Sequence, residues 1–220
     1  MIPDNEYMLT RSFVRKMNEV IPGFSPKVIL DIGSRDAEQS VEFARTYPEA
    51  NVYAFEPNPQ QYEICCSRVN DFDKITMYNL ALSDKRGDLD FYVTHGNVGA
   101  SSLLKPLDVP FGHTNDFSVI KVKCMTIDDW CKLESVGQID VMWMDVQGVE
   151  LNVLRSMNKD VLSKVKFIHC EASESPYYEG HSLKAELQSF LNENGFKTTF
   201  SSPAYHPYGE GDILAINGAL

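Results

Sequence analysis

Val28-Ile29-Leu30-Asp31-Ile32-Gly33-Ser34-Arg35-Asp36-Ala37 is the stretch on which the reading of the chain turns. A short apolar run rich in β-branched residues reads as a strand buried on both faces, as in parallel sheets. It stops at Asp31 in a glycine turn that opens a helix. Asp36 is placed as the N-cap, with Gln39 three residues on in a capping-box pattern, so free helix-end N–H groups are expected beside the strand's carboxyl end. A nucleotide can bind at such a junction.

The neighbouring segments repeat this plan. Upstream, Leu9, Phe13, Val14, Met17 and Ile21 recur at helical spacing within residues 6–21, and Pro22-Gly23 with Pro26 end the segment, predicting a lid or packing helix. Downstream, residues 51–56 form a second strand, and Asn58-Pro59 supply an N-cap with proline at the first helical position. Tyr62, Cys65 or Cys66, and Val69 give that helix its core face. Residues 75–82 read as one third strand, closed by the polar turn Ser83 to Gly87. Alternating strands and helices predict a parallel sheet.

Between Gly87 and Thr126 the rhythm changes. Residues 89–93 and 120–124 alternate apolar and polar side chains, predicting an antiparallel excursion, and the irregular stretch between them, residues 94–117, is long enough for a functional loop. Parallel rhythm resumes with the strand 139–145, the turn Val146-Gln147-Gly148, and a helix bearing Val149, Val153, Leu154 and Met157. Residues 165–170 form the next strand, which ends at Glu171. A helix over 182–194 is followed by strands 196–200 and 212–216, whose connection leaves no room for a crossover helix, so these two pair antiparallel. The expected architecture is one α/β domain over residues 1–220, with an N-terminal helical segment (1–26) and an antiparallel insertion (87–125). Its mostly parallel, seven-stranded, Rossmann-like sheet carries a reversed last strand, the arrangement of the class I S-adenosylmethionine-dependent methyltransferases rather than of the dinucleotide dehydrogenases.

Charge narrows the partners. With 20 Lys and Arg against 31 Asp and Glu the net charge is −11, and no cationic cluster is present to displace counterions from RNA or DNA. Small molecules and glycans are the expected substrates. The amino terminus has neither a basic n-region nor an apolar h-region, and no apolar run is long enough for a membrane span. The five cysteines form an odd set without a CxxC pair, so free thiols in a reducing, cytoplasmic setting are expected.

Glu56 closes the second strand 23 residues after Gly33, where nucleotide-binding sheets place an acid that accepts from both ribose hydroxyls. Six blocks then point to one family: Asp31-Ile32-Gly33, Phe55-Glu56-Pro57-Asn58-Pro59, Asn79 to Asp84, Ala100-Ser101-Ser102-Leu103-Leu104, Thr126-Ile127-Asp128-Asp129, and Asp145-Val146-Gln147-Gly148-Val149-Glu150. In this order they resemble the FkbM-type methyltransferases. The resemblance implies S-adenosylmethionine as methyl donor and a hydroxyl, often on a sugar, as acceptor. It places Asp31, Gly33 and Ser34 around the methionine portion, Glu56-Pro57 at the ribose, and Ala81-Leu82 at the adenine edge. The glycine turn departs from the family pattern at Arg35 and Ala37; Arg35 is a candidate partner for the cofactor's carboxylate or a solvated loop residue. Asn79 serves equally as the residue that ends the third strand.

Asp145 and Glu171 each end a parallel strand, beyond which open α/β sheets bind their ligands. They are the candidate catalytic pair, as a metal-free general base or, less favoured, as ligands to Mg²⁺ or Mn²⁺. His169 is expected to be packed against the strand, and Glu150 to steady the following helix. Ser101 and Ser102 are loop residues within possible reach of substrate, and Tyr177, Tyr178, Tyr205, His206 and Tyr208 are candidates for stacking on a sugar. Two rival readings exist. A nicotinamide enzyme would need GxGxxG where the chain has Gly33-Ser34-Arg35-Asp36-Ala37-Glu38. A non-catalytic nucleotide- or sugar-binding module is disfavoured by the joint presence of Asp31, Glu56 and Asp145.

Overall fold

A computed structural model describes residues 9–108, 116–202 and 209–220. The chain runs through α1 (Thr10–Val20), β1 (Val28–Ile32), α2 (Glu38–Thr46), β2 (Asn51–Phe55), α3 (Pro59–Val69), β3 (Ile75–Tyr78), β4 (Ala81–Leu82) and β5 (Gly87–Thr94). It continues with β6 (Phe117–Met125), α4 (Ile127–Glu134), β7 (Val141–Met144), α5 (Glu150–Arg155), α6 (Lys159–Leu162), β8 (Phe167–Ala172), α7 (Lys184–Glu193), β9 (Phe196–Ser201) and β10 (Gly211–Asn217). Seven strands form the main sheet in the order β3-β2-β1-β7-β8-β10-β9. All pairings are parallel except those of β10, which runs antiparallel to both β8 and β9. The fold is therefore the α/β, Rossmann-like arrangement of the class I methyltransferases. The reversed strand lies one place in from the edge, because β9 adds outside it.

Both faces of this sheet are covered, which is why its central strands are almost wholly apolar. One face packs Phe13 and Met17 of α1, Phe43 of α2 and Cys65 of α3 against Ile29, Val52 and Trp143. The other packs Trp130 of α4, Leu154 of α5 and Leu187 and Leu191 of α7 against Leu30, Met142 and Ile168. Phe13 is fully buried, with its ring edge-on to Trp143 at 5.5 Å and to His169 at 5.9 Å. The first helix is thus a packing element; the part of its expected span before Leu9 lies outside the described residues.

Three expectations need correction. The third strand is two: β3 stays in the main sheet, whereas β4 leaves it to pair in parallel with β6. Asn79 makes the break by donating from Nδ2 to the carbonyls of Glu56 (2.9 Å) and Pro57 (3.0 Å), which occupies the chain where the ladder would continue. The insertion is consequently a three-stranded sheet, β4-β6-β5, that is mixed rather than purely antiparallel and begins before residue 87. Asp36 is not the cap of α2 either: Ala37 takes that place with φ +58°, while an Asp36 carboxylate oxygen accepts from the Glu38 N–H at 3.3 Å. Finally, sequence periodicity missed α4, although Thr126 caps it by accepting from the Asp129 N–H at 3.1 Å.

Because the Phe13 ring is fully buried against the sheet, Phe13→Ala should cost about 3–5 kcal/mol of unfolding free energy, read as a lower urea midpoint with little change in slope.

Candidate active site

The glycine turn after β1 is held from two sides. The N–H groups of Gly33 and Ser34 both donate to the Phe55 carbonyl at 3.0 Å, and the Asp145 N–H donates to the Ile32 carbonyl at 3.0 Å. Gly33 has φ +90°, and a Cβ there would stand 1.9 Å from the Asp145 carbonyl oxygen, so only glycine allows β7 to end this close to the turn. Arg35 and Ala37 also have positive φ, at +50° and +58°. The turn replaces the expected second glycine with residues forced into the left-handed region.

Beyond the ends of β1, β2 and β7 opens a cleft of about 820 Å³, counted to its mouth. Gly33, Arg35, Glu56, Pro57, Ala81 and Leu82 all border it, as do Phe91, Asp145, Val146 and Val149. Val98, Gly99, Ser101 and Leu103, from the long connection between β5 and β6, complete the wall. Asp31 and Ser34 do not border the cleft. Asp31 is buried, accepting from Ser34 Oγ at 2.8 Å and from Ser40, while its Oδ1 has no partner. These two residues shape the turn that forms the wall.

Glu56 is almost fully buried, with one carboxylate oxygen accepting from the Arg35 N–H and the other from the Asn58 N–H, both at 2.8 Å. Each oxygen keeps a lone pair for a ligand hydroxyl. Burial pushes its carboxyl up to about 7, against the pull of those two N–H groups. Asp31 is pushed up to about 6 and Glu150 to about 8, again mainly by burial. Glu150 opens α5 and accepts from the N–H groups of Val146 (3.1 Å) and Gly148 (3.0 Å), so it holds the turn before its helix as well as the helix.

Asp145 opens onto the cleft, whereas Glu171 borders a smaller neighbouring cavity of about 200 Å³ with Ser173, Tyr177, His181 and Glu210. Between the two carboxyl groups sits the Gln147 amide, a link that strand periodicity could not reveal. Its Nε2 donates to Asp145 Oδ1 at 2.7 Å and to Glu171 Oε2 at 2.6 Å. Crowding by protein raises the pKa of Asp145, with Gln147 and His169 pulling the other way. Glu171 is raised well above the carboxylate range by burial and by the charge of Asp145. The signal that marks Gln147 is its place two residues after a strand-end acid and directly before a glycine.

His169 is packed, as expected: its ring stacks on Trp143 at 3.6 Å and its Nε2 lies 2.9 Å from Asp212 Oδ1. Ser102 is buried and donates to the Gln147 carbonyl at 2.8 Å; Ser101 accepts from the Thr94 N–H at 3.2 Å. Tyr177 and Tyr178 are buried rather than presented for stacking, whereas Tyr205, His206 and Tyr208 lie outside the described residues. Among the described residues, no three His, Cys, Asp or Glu side chains gather as a metal site, and no helix is long and apolar enough to cross a membrane.

Residues 31–198 match the Methyltransferase FkbM domain. The chain belongs to the FkbM methyltransferase family. It is 32% identical over 202 residues to the 2-O-methyltransferase NoeI of Sinorhizobium fredii, a match covering 88% of this chain and 80% of that protein. Two solved structures share its fold: the N-terminal domain of EvdMO1 in the presence of SAH and D-fucose (TM-score 0.52, 10% identity, 97% of this chain and 84% of that one), and an rRNA methylase from Streptococcus thermophilus (TM-score 0.51, 9% identity, 99% and 98%). This FkbM methyltransferase uses S-adenosylmethionine, and its cleft fits that molecule. Glu56 presents a carboxylate that keeps a lone pair on each oxygen, and Ala81, Leu82 and Phe91 form an apolar stretch of the cleft wall.

Glu56→Ala should weaken binding of S-adenosylhomocysteine by about 1–3 kcal/mol in calorimetry, the range for hydrogen bonds to a charged group. The raised carboxyls also set a pH trend. Asp31, Glu56 and Glu150 hold protons in the folded state that they lose in the unfolded one, so their contribution to stability is full below the unfolded carboxyl range and is lost as pH rises through about 6 to 8. The cofactor-free protein should melt at a higher temperature at pH 5 than at pH 8, and Glu150→Gln should flatten that slope.

Proposed function

We propose that the protein transfers a methyl group from S-adenosylmethionine to a hydroxyl of a sugar or glycan. The observation that carries this reading is the cleft beyond β1, β2 and β7 onto which Asp145 opens, with Glu171 joined to Asp145 through the Gln147 amide. Likeness to a protein named a 2-O-methyltransferase supports an oxygen acceptor. The net charge of −11 argues against nucleic acid as the acceptor. Five unpaired thiols fit a reducing, cytoplasmic compartment.

In this reading Gly33, Arg35, Glu56, Pro57, Ala81 and Leu82 hold the cofactor, and Asp31 and Ser34 act through the turn they brace. S-adenosylmethionine supplies an electrophilic methyl group, which the acceptor oxygen attacks in line with the sulfur. Asp145, which opens onto the cleft, takes the hydroxyl proton. A carboxylate-held cation is disfavoured, because the Gln147 amide already directs its N–H donors into the space between the two groups.

Labelled S-adenosylmethionine offered with a panel of saccharides should give methylated sugar, and Asp145→Asn should lower kcat by about 10²–10⁴-fold while leaving cofactor affinity close to normal. Turnover should survive EDTA. Methylation of RNA or DNA faster than of every saccharide tested would refute the acceptor class.

A further inference from the structure

Gln147 stands in the left-handed region at φ +55°, a conformation that non-glycine residues hold only where their surroundings fix them. Here the fixing groups are known. Its Nε2 donates to Asp145 and Glu171, its Oε1 accepts from the Tyr178 hydroxyl at 2.7 Å, and its main-chain carbonyl accepts from Ser102 Oγ at 2.8 Å. The Tyr178 hydroxyl also lies 2.9 Å from the Ala100 carbonyl oxygen. Ala100 belongs to the segment whose Val98, Gly99, Ser101 and Leu103 border the cofactor cleft.

We propose that Gln147 is a positioning residue for proton transfer: its amide bridges the Asp145 and Glu171 carboxyl groups, and Tyr178 sets the amide's orientation while tying it to the cleft wall. This rests on the reading of Asp145 as proton acceptor. An amide presents two N–H donors on one side and an acceptor on the other, so the orientation decides whether the pair meets donors or a lone pair. The Tyr178 O–H, facing Oε1, selects donors. A hydroxyl has one proton, however, and a proton directed at Gln147 is withdrawn from Ala100. A displacement of the cleft wall therefore acts on the amide, and through it on which carboxyl group holds the proton.

The other titratable or charged groups facing the pair are Asp31 from β1, Arg35 from the glycine turn, Glu150 from α5, His169 from β8, and Glu210 and Asp212 at the start of β10. These stay in place when the amide is removed, so a difference between variants reports the amide. The test follows the carboxyl carbons of Asp145 and Glu171 by NMR through a pH titration of the ¹³C-labelled protein, with Asp145→Asn and Glu171→Gln giving the assignments. Gln147→Met keeps the length and loses the donors, and should move the Asp145 midpoint up by about one pH unit or more. Tyr178→Phe keeps the ring that fills its buried site and should move it in the same direction by less. In turnover with a saccharide acceptor, Gln147→Met should lose activity at neutral pH and regain it at higher pH. Midpoints that stay at the wild-type values in Tyr178→Phe and in Gln147→Met overturn the proposal, as does a loss of turnover equal at every pH. Full turnover in Asp145→Asn overturns the base reading instead, and leaves the titration result to stand on its own.

Discussion

The approach of the β1 turn to the end of β7 is the contact on which the site depends. A parallel sheet whose strand order reverses direction leaves a crevice at the reversal, here between β1 and β7. The width of that crevice is set by backbone alone, with Gly33 lying against the Asp145 carbonyl. A side chain at residue 33 would push the two strand ends apart and separate the glycine turn from Asp145. The same backbone anchors Glu56, because the Phe55 carbonyl takes both N–H groups of the turn. The wall of the cleft and Asp145 are therefore positioned by one set of main-chain bonds.

The polar groups around this contact are costly, and the structure shows how the cost is met. Asp31, Glu56 and Glu150 are buried acids, yet each accepts from at least two donors supplied by residues nearby in the chain or by the adjoining turn. Burial shifts all three towards the neutral form. They concentrate at the carboxyl ends of the strands, whereas the opposite faces of the sheet are closed by apolar packing. Stability and chemistry occupy different ends of the same strands.

Much of this was legible in the sequence because it is local. The glycine after Asp31, the acid closing β2, and the acid closing β7 each follow from strand periodicity and a turn signal within a few residues. What escaped reading depends on partners far apart in the chain. The split between β3 and β4 is made by Asn79 reaching back to residues 56 and 57. Gln147 gained its meaning from Glu171 and Tyr178, which arrive from β8 and the connection after it. Helix α4 is short, so the helical spacing of Ile127, Trp130 and Cys131 on its inner face spans little more than one turn, although Thr126 marks its start.

The small mixed sheet has a consequence for how the enzyme can change over evolutionary time. Residues 81 and 82, where the excursion leaves the main sheet, pair directly with residues 124 and 125, where it returns. An excursion whose two ends are neighbours can be lengthened, shortened or exchanged without moving the strands it departs from, as with inserted modules generally. It nevertheless contributes Val98 to Leu103 to the cleft wall. Exchanging this one detachable loop system would therefore reshape the cleft wall while leaving the backbone contact between Gly33 and Asp145 in place.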